Sequence, residues 1–161
     1  AVEAYGAELS GGYRPGVLDG KLALTGNLSY NVSEFQDNFG TVALAGGTVP
    51  DSPEWLFQGG VTYEPLPWAV FNLSGRYLSD RHTNFLNTEM VGGYTVYSFY
   101  VDLGGEKLAA GPLKHVKVRL NIDNLTDKDA FGTINVSQGG GLASFRPVPD
   151  RTFQLTVTAS F

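Results

Sequence analysis

The sequence predicts an all-β fold, a transmembrane antiparallel up-and-down β-barrel, and three observations carry that prediction. About seven segments alternate apolar and polar residues with period two, which is typical of strands whose two faces meet different surroundings. The connections between these segments are alternately short and long. Tyr and Trp residues fall near the ends of the segments, on the apolar parity.

The alternation is clearest in KLALTGNLSYNVS, residues 21–33, where Leu22, Leu28 and Tyr30 share one face and Asn27 and Asn31 share the other. Similar strands are predicted over 4–13, 54–64, 69–78, 95–103, 115–123 and 151–161. Each is close to the length of about ten residues that a tilted strand needs to cross a bilayer. From residue 22 onward, every charged residue of these strands is predicted on the polar face.

The connections are short at 14–20 and 65–67, intermediate at 104–112, and long at 33–53, 80–93 and 126–150. In a meander, every second connection lies at the same end of the strands. All the long connections are therefore predicted at one end, as in outer-membrane barrels with short periplasmic turns and long extracellular loops. A soluble β-sandwich has no reason to sort its loops in this way.

The aromatic residues predict where the membrane interfaces lie, because Tyr and Trp prefer the boundary between lipid and water. Two rows at the strand ends form the aromatic girdle that is typical of barrels. Phe161 falls at the short-turn end, on the apolar parity. The girdle residues are predicted to be Tyr13, Tyr30, Trp55, Tyr63, Tyr77 and Tyr97.

Composition excludes several other classes. The net charge is −5 and the chain has no Lys/Arg cluster, so nucleic acid is not an expected partner. The absence of Cys excludes disulfides, thiolate metal sites and Cys nucleophiles. No apolar run reaches the roughly eighteen residues of a membrane-spanning helix. No nucleotide-binding loop or nucleophile elbow is present, and the sequence predicts neither an enzyme nor a cofactor.

Two stretches carry a resemblance to a known family. NIDNLTDKDAFG, residues 121–132, followed by RTFQLTVTASF, residues 151–161, resembles the final strands of TonB-dependent outer-membrane receptors. The shared features are the turn Asn124-Leu125-x-Asp127-Lys128 and a terminal Phe. PDSPEWLFQGGVTYEPLPW, residues 50–68, is similar to a strand and Pro-rich periplasmic turn of the same family.

This resemblance implies that residues 1–161 are the C-terminal segment of a barrel of about 22 strands, without its plug domain. It implies the Gram-negative outer membrane as location and import of a scarce nutrient, such as a siderophore, cobalamin or an oligosaccharide, as function. The implied partners are membrane lipid, the remaining barrel and plug, the TonB complex acting through that plug, and a small-molecule ligand. The barrel-assembly machinery is a further implied partner, and Phe153 and Phe161 are its implied signal residues.

Aromatic residues and one His in the long loops are the candidate contacts for the ligand. Packing of loop against loop explains the aromatic residues equally well. His82 with Asp80 also admits an Asp–His catalytic pair, for which a solvated loop tip is the preferred explanation. The ligand-contact candidates are Phe35, Phe39, His82, Phe85, Phe131 and Phe145.

Asp123, Asp127 and Asp129 follow the spacing of a Ca²⁺ loop only in part. Turn chemistry, in which Asp bonds nearby backbone, is preferred for Asp127, and no metal site is predicted. Two other fold classes remain as alternatives: a small self-contained outer-membrane barrel, structural or enzymatic, and a soluble β-sandwich or lipocalin-like binding module.

Overall fold

The computed structural model describes residues 1–104, 115–136 and 143–159. Its strands are β1 (Val2–Tyr13), β2 (Leu22–Phe35), β3 (Trp55–Leu66), β4 (Ala69–Leu78), β5 (Arg81–His82), β6 (Met90–Val91), β7 (Tyr94–Gly104), β8 (Val116–Asp123), β9 (Phe131–Asn135), β10 (Ser144–Pro147) and β11 (Thr152–Ala159). A short 3-10 helix, Val17–Gly20, joins β1 to β2. In the described part of the chain, no helix has the length and apolar character needed to cross a membrane.

The seven long strands form one antiparallel sheet in the order β1-β2-β3-β4-β7-β8-β11. This order follows the chain, so the predicted up-and-down meander is confirmed. The short strands form two hairpins of their own, β5 with β6 and β9 with β10. The end strands β1 and β11 each have one neighbour among the described residues, so the sheet is an open arc of barrel wall.

One face of the arc is apolar from edge to edge. Leu28 lies opposite Phe57, and Phe57 lies opposite Tyr77. Further along, Leu120 lies between Val101 and Leu155 in the register of β7, β8 and β11. These apolar side chains are exposed, apart from half-buried Val101, because a single layer of sheet has no second layer to cover them. An exposed apolar face of this extent is the lipid-facing side of a barrel.

The opposite face would line the lumen, and its residues bond across neighbouring strands. Asn27 donates to Glu8 at 2.6 Å, and Asn72 donates to Thr62 at 2.8 Å. Arg119 binds both carboxylate oxygens of Asp102. Hydroxyl, amide and charged groups can be satisfied in this way only beside one another or beside water. The lumenal face is therefore suited to a wet interior.

Strand β2 is longer than the alternation indicated and continues to Phe35. This extension brings Glu34 onto the apolar parity, opposite Glu3 of β1. The expectation that no charge lies on that parity from residue 22 onward is therefore wrong at Glu34. The physical reason is length, since β2 has 14 residues and a tilted span needs only about ten. Glu34 lies beyond Tyr30, at the end of β2 that leads into the long connection of residues 36–54.

Two of the predicted short connections are confirmed at the other end of the sheet. Residues 14–21 separate β1 from β2, and only Pro67 and Trp68 separate β3 from β4. The register of β3 with β4 shifts between Tyr63 and Leu66. Pro65 lies within this bulge, where a residue without an amide hydrogen costs no ladder bond. The connection predicted at 104–112 falls almost entirely outside the described residues, which resume at His115.

Candidate functional site

The three long connections lie at the same end of the arc, and we name them loop A (residues 36–54), loop B (79–93) and loop C (124–136 and 143–151, the described part of that connection). Strands β5 and β6 belong to loop B, and strands β9 and β10 belong to loop C. These hairpins were not predicted, because two-residue to five-residue strands give too few alternations for period two to be detected. The candidate functional site is the surface that these loops and the adjoining lumenal wall present.

The loops pack on a small apolar core at the lumenal face. Leu78, Tyr94 and Val148 are buried together. Partly buried Leu56, Val96 and Ala130 pack against them. The strand residues of this cluster belong to the polar parity of β3, β4 and β7, and Val148 and Ala130 come from loop C. Loop C therefore folds inward over the lumenal side of the wall.

Arg81 of loop B is the centre of the loop contacts and is only 2% exposed. Its guanidinium binds Asp51 of loop A at 2.6 Å. It also donates to the carbonyl oxygens of Phe131 and Gly132 in loop C. The second carboxylate oxygen of Asp51 accepts the amide of Ile134 at 3.2 Å. One ion pair thus joins all three loops.

A second junction joins loop A to loop B through Asn87. Its side chain accepts from the Thr48 amide at 2.7 Å and donates to the Thr48 carbonyl at 2.8 Å. The Asp51 amide also donates to the carbonyl of His82 at 3.1 Å. Asn87 has a φ of 54°, a left-handed conformation that Asn adopts more readily than most residues. The relative position of loops A and B is therefore set by backbone groups as well as by the ion pair.

Four of the aromatic ligand-contact candidates pack against one another in two pairs. The rings of Phe35 and Phe85 lie 5.9 Å apart, and those of Phe131 and Phe145 lie 4.7 Å apart. The first pair joins the end of β2 to loop B, and the second lies within the β9–β10 hairpin. The Phe35–Phe85 pair has the geometry of loop packing against a neighbouring segment, the explanation that the sequence left open, whereas the Phe131–Phe145 pair packs within one loop.

Phe39 differs from these four because the residue is 76% exposed. It lies at the tip of loop A, where Phe39 and Val42 exchange backbone hydrogen bonds of 3.1 and 3.0 Å. The Asn38 side chain accepts the amides of Leu44 and Ala45, each at 3.0 Å. This tip is a tight hairpin that holds an aromatic ring out in solvent. Among the predicted contacts, Phe39 has the geometry best suited to meet an incoming ligand.

His82 is half-buried in β5, and its Nδ1 is buried without a hydrogen-bond partner among the described residues. Asp80 lies exposed beside it in the chain. The described ranges contain no group of three or more His, Cys, Asp or Glu that would hold a metal ion.

The Asn124-Leu125-x-Asp127-Lys128 segment is a closed turn at the base of loop C. Asn124 is 2% exposed and has a φ of 51°. Its side chain accepts the Lys128 amide at 2.8 Å and donates to the Lys128 and Pro149 carbonyls at 3.0 and 2.9 Å. Asp127 accepts the amide of Arg151 at 2.9 Å. Asn124 thus bonds backbone both four residues on and across the loop at Pro149, and Asp127 reaches across the loop to the start of β11.

Below loop C, the lumenal wall contains a cleft of about 300 Å³. Arg76 and Gln58 occupy opposite register positions on its wall. Val148 and Pro149 of loop C also line the cleft. A part of a ligand that reached this cleft would meet hydrogen-bond donors on Arg76 and both a donor and an acceptor on Gln58.

The register keeps the predicted girdle residues on the apolar parity. Tyr13 and Trp55 are terminal residues of their strands, whereas Tyr30 lies inside β2, because that strand continues to Phe35. At the loop end, the rings of Tyr30 and Trp55 are in contact with centroids 4.7 Å apart. At the turn end, Tyr13 is 65% exposed. Phe153, proposed as an assembly signal, is exposed on β11, whereas Phe161 lies outside the described residues.

Sequence reasoning missed Arg81 and Asp51 as the loop junction. Arg81 follows Asp80 in a polar stretch that reads as a solvated loop, and nothing in its spacing indicates burial. Asp51 stands in Pro50-Asp51-Ser52-Pro53, a turn signal that could have marked it as a fixed position.

Residues 1–125 match the family model described as TonB dependent receptor-like, beta-barrel. The match spans most of the chain, so this chain belongs to the TonB-dependent receptor β-barrel family. Proteins of this family form β-barrels in the Gram-negative outer membrane, and this chain is located there. No curated protein sequence matches the chain.

Several solved structures share the fold at low sequence identity. The ferric citrate transporter FecA in its unliganded form superposes with a TM-score of 0.78 at 19% identity, covering 96% of this chain and 23% of its own. The ferric yersiniabactin uptake receptor FyuA from Yersinia pestis gives 0.76 at 16%, covering 99% and 24%. The copper transporter OprC gives 0.69 at 21%, covering 99% and 24%. This chain spans about a quarter of the length of each of them.

Proposed function

We propose that residues 1–161 form the C-terminal part of the barrel wall, with its extracellular loops, of a TonB-dependent importer of a scarce nutrient. The family match over residues 1–125 is the observation that carries this proposal. The nutrient belongs to the siderophore, cobalamin or oligosaccharide class. The names of three structural relatives, which mention ferric citrate, ferric yersiniabactin and copper, support metal complexes of the siderophore kind as the first class to test.

The segment takes part in import without doing chemistry itself. Its apolar face meets lipid, its polar face lines the wet lumen, and loops A, B and C meet the ligand. Phe39 is the first contact, and the cleft beside Arg76 and Gln58 lies further along the lumenal wall. The barrel is therefore a passive frame, and transport energy enters elsewhere.

Its partners follow from this role. The rest of the barrel pairs with the free edges of β1 and β11, and a plug domain fills the lumen. The TonB complex of the inner membrane acts on that plug. The barrel-assembly machinery recognises the closing strand, including Phe153 and Phe161.

The proposal is tested by uptake in cells that carry the full receptor containing this segment. Labelled ferric siderophores, copper, cobalamin and maltodextrins are offered one at a time to strains with and without TonB. We expect one ligand class to accumulate only when both the receptor and TonB are present. Accumulation that is independent of TonB, or absent for every class, would reject the proposal.

A further inference from the structure

The described part of loop C packs inward over the wall through Val148 and Ile134, although all residues of β10 are exposed. Val148 is buried against Leu78 and Tyr94, whose positions in β4 and β7 face the lumen. Ile134 of β9 is also buried, with 4% of its surface exposed. A two-stranded hairpin has little stability of its own in water. The inward position of β9 and β10 therefore depends on what the hairpin contacts.

The polar part of that contact is concentrated in one guanidinium group. Arg81 uses its two terminal nitrogens for three acceptors, one in loop A and two carbonyl oxygens in loop C. The other carboxylate oxygen of Asp51 accepts a hydrogen bond from the Ile134 amide. The guanidinium reaches these acceptors through two separate nitrogens held in one plane, a geometry that the single ammonium nitrogen of Lys does not have.

Opening of loop C would break this arrangement as a unit. Arg81 would lose two of its three acceptors while remaining next to Asp51, and the Ile134 amide would lose its partner. Buried charged groups that lose their hydrogen bonds are strongly destabilising. The apolar contacts of Val148 would be lost in the same step. The open position is therefore sparsely populated while Arg81 is present.

We propose that loops A, B and C form one fixed cap over the lumenal side of β3, β4 and β7, and that Arg81 is the positioning residue that latches it. The cap does not act as a moving lid. Ligand therefore passes beside it. This inference concerns loop position alone and does not depend on which ligand is imported.

The first test is a distance measurement in the full receptor, with native cysteines removed. Spin labels are placed at exposed Thr133 in β9 and at exposed Leu73 in β4. We expect a single narrow distance distribution, which Arg81→Gln broadens toward longer distances. The matched control is Arg146→Gln, which removes an exposed Arg from the same hairpin and should leave the distribution narrow.

The second readout is the rate at which proteinase K cleaves loop C, measured by mass spectrometry. We expect Arg81→Gln to raise this rate roughly ten-fold or more, because cleavage follows the open population. Arg81→Lys should not restore protection, since one ammonium cannot replace the fork. The melting temperature of the barrel should stay close to that of the unchanged receptor.

The outcomes are decisive in both directions. A broad distribution in the unchanged receptor would overturn the fixed cap. A narrow distribution and unchanged cleavage in Arg81→Gln would overturn the latch. If Arg81→Gln does not fold, Asp51→Asn is used, since it keeps the shape but removes the charge. Broadening in that variant supports the latch and a narrow distribution rejects it.

Discussion

The side-chain amide of Asn124 donates to the carbonyl oxygen of Pro149 at 2.9 Å, and so joins the two ends of loop C. The same side chain bonds both backbone groups of Lys128. The turn that carries the family resemblance is therefore a structural closure. It sets where β11 begins relative to β8.

Substitution at Asn124 should separate its two contributions. Asn124→Ala removes three hydrogen bonds and places a residue with Cβ but no polar group at a φ of 51°. We expect a loss of about 2–4 kcal/mol in the free energy of unfolding. Asn124→Gly also removes the bonds but tolerates the positive φ, so it should cost about 1 kcal/mol less. Urea unfolding of the refolded barrel in lipid measures both, and equal costs would show that the conformation contributes nothing.

Because successive residues of β8 face lipid and lumen in turn, a substitution by Arg should be costly at one position and tolerated at the next. Leu120 lies between Val101 and Leu155 on the lipid face, whereas Asn121 lies on the lumenal face. Leu120→Arg should cost about 2–4 kcal/mol near the centre of the bilayer. Asn121→Arg is the matched control and should cost far less, because its side chain can reach water. Equal losses in lipid unfolding experiments would contradict the assignment of the two faces.

Two adjacent glycines at the end of loop B should respond differently to Ala. A Cβ on Gly93 would lie 2.6 Å from the Leu78 carbonyl oxygen and 3.0 Å from backbone of Ser79. A Cβ on Gly92 would meet nothing within 4 Å. Gly93→Ala should cost about 1–3 kcal/mol, because backbone must shift, and Gly92→Ala should stay within about 0.5 kcal/mol. Heat-dependent gel mobility of the folded barrel gives the comparison, and an unchanged Gly93→Ala barrel would contradict the close approach.

The loop aromatics should divide into ligand contacts and packing residues. Phe39→Ala removes an exposed ring and should weaken ligand binding roughly 3- to 30-fold with no change in melting temperature. Phe85→Ala removes one ring of the pair with Phe35 and should lower the stability of loop B instead. Titration of the full receptor with the ligand that uptake identifies, together with thermal unfolding, measures both. Unchanged affinity in Phe39→Ala would remove that residue from the site.

The meander could be predicted from the sequence because both of its causes are local. Alternation over a segment such as 21–33 depends only on which residues face lipid, and turn length is visible in the chain. The extension of β2 to Phe35 was not visible, because beyond the membrane neither parity is required to be apolar. At Glu34 the backbone pairing of β2 with β1 continues, although the alternation of apolar and polar residues has ended.

The loop site was less predictable, since its contacts join positions far apart in the chain. Asp51 and Arg81 meet because loops A and B share one end of the sheet, and Phe131 and Gly132 come from a third loop. No spacing rule connects such residues. Phe39 could be proposed from composition alone, but its exposed position on a tight hairpin depends on Asn38, which no pattern singled out.

The order of strands in the sheet also bears on how the wall is built over time. Within the described sheet, each long strand pairs with the long strand before it in the chain, so none of these pairings has to wait for a distant segment. The entropic cost of closing a connection grows slowly with its length, and the turn at Pro67–Trp68 closes most cheaply. The slowest pairing is expected to be that of β8 with β11 across loop C. There the hydrogen bond from Asn124 to Pro149 joins the two ends of loop C and so shortens the connection that has to close.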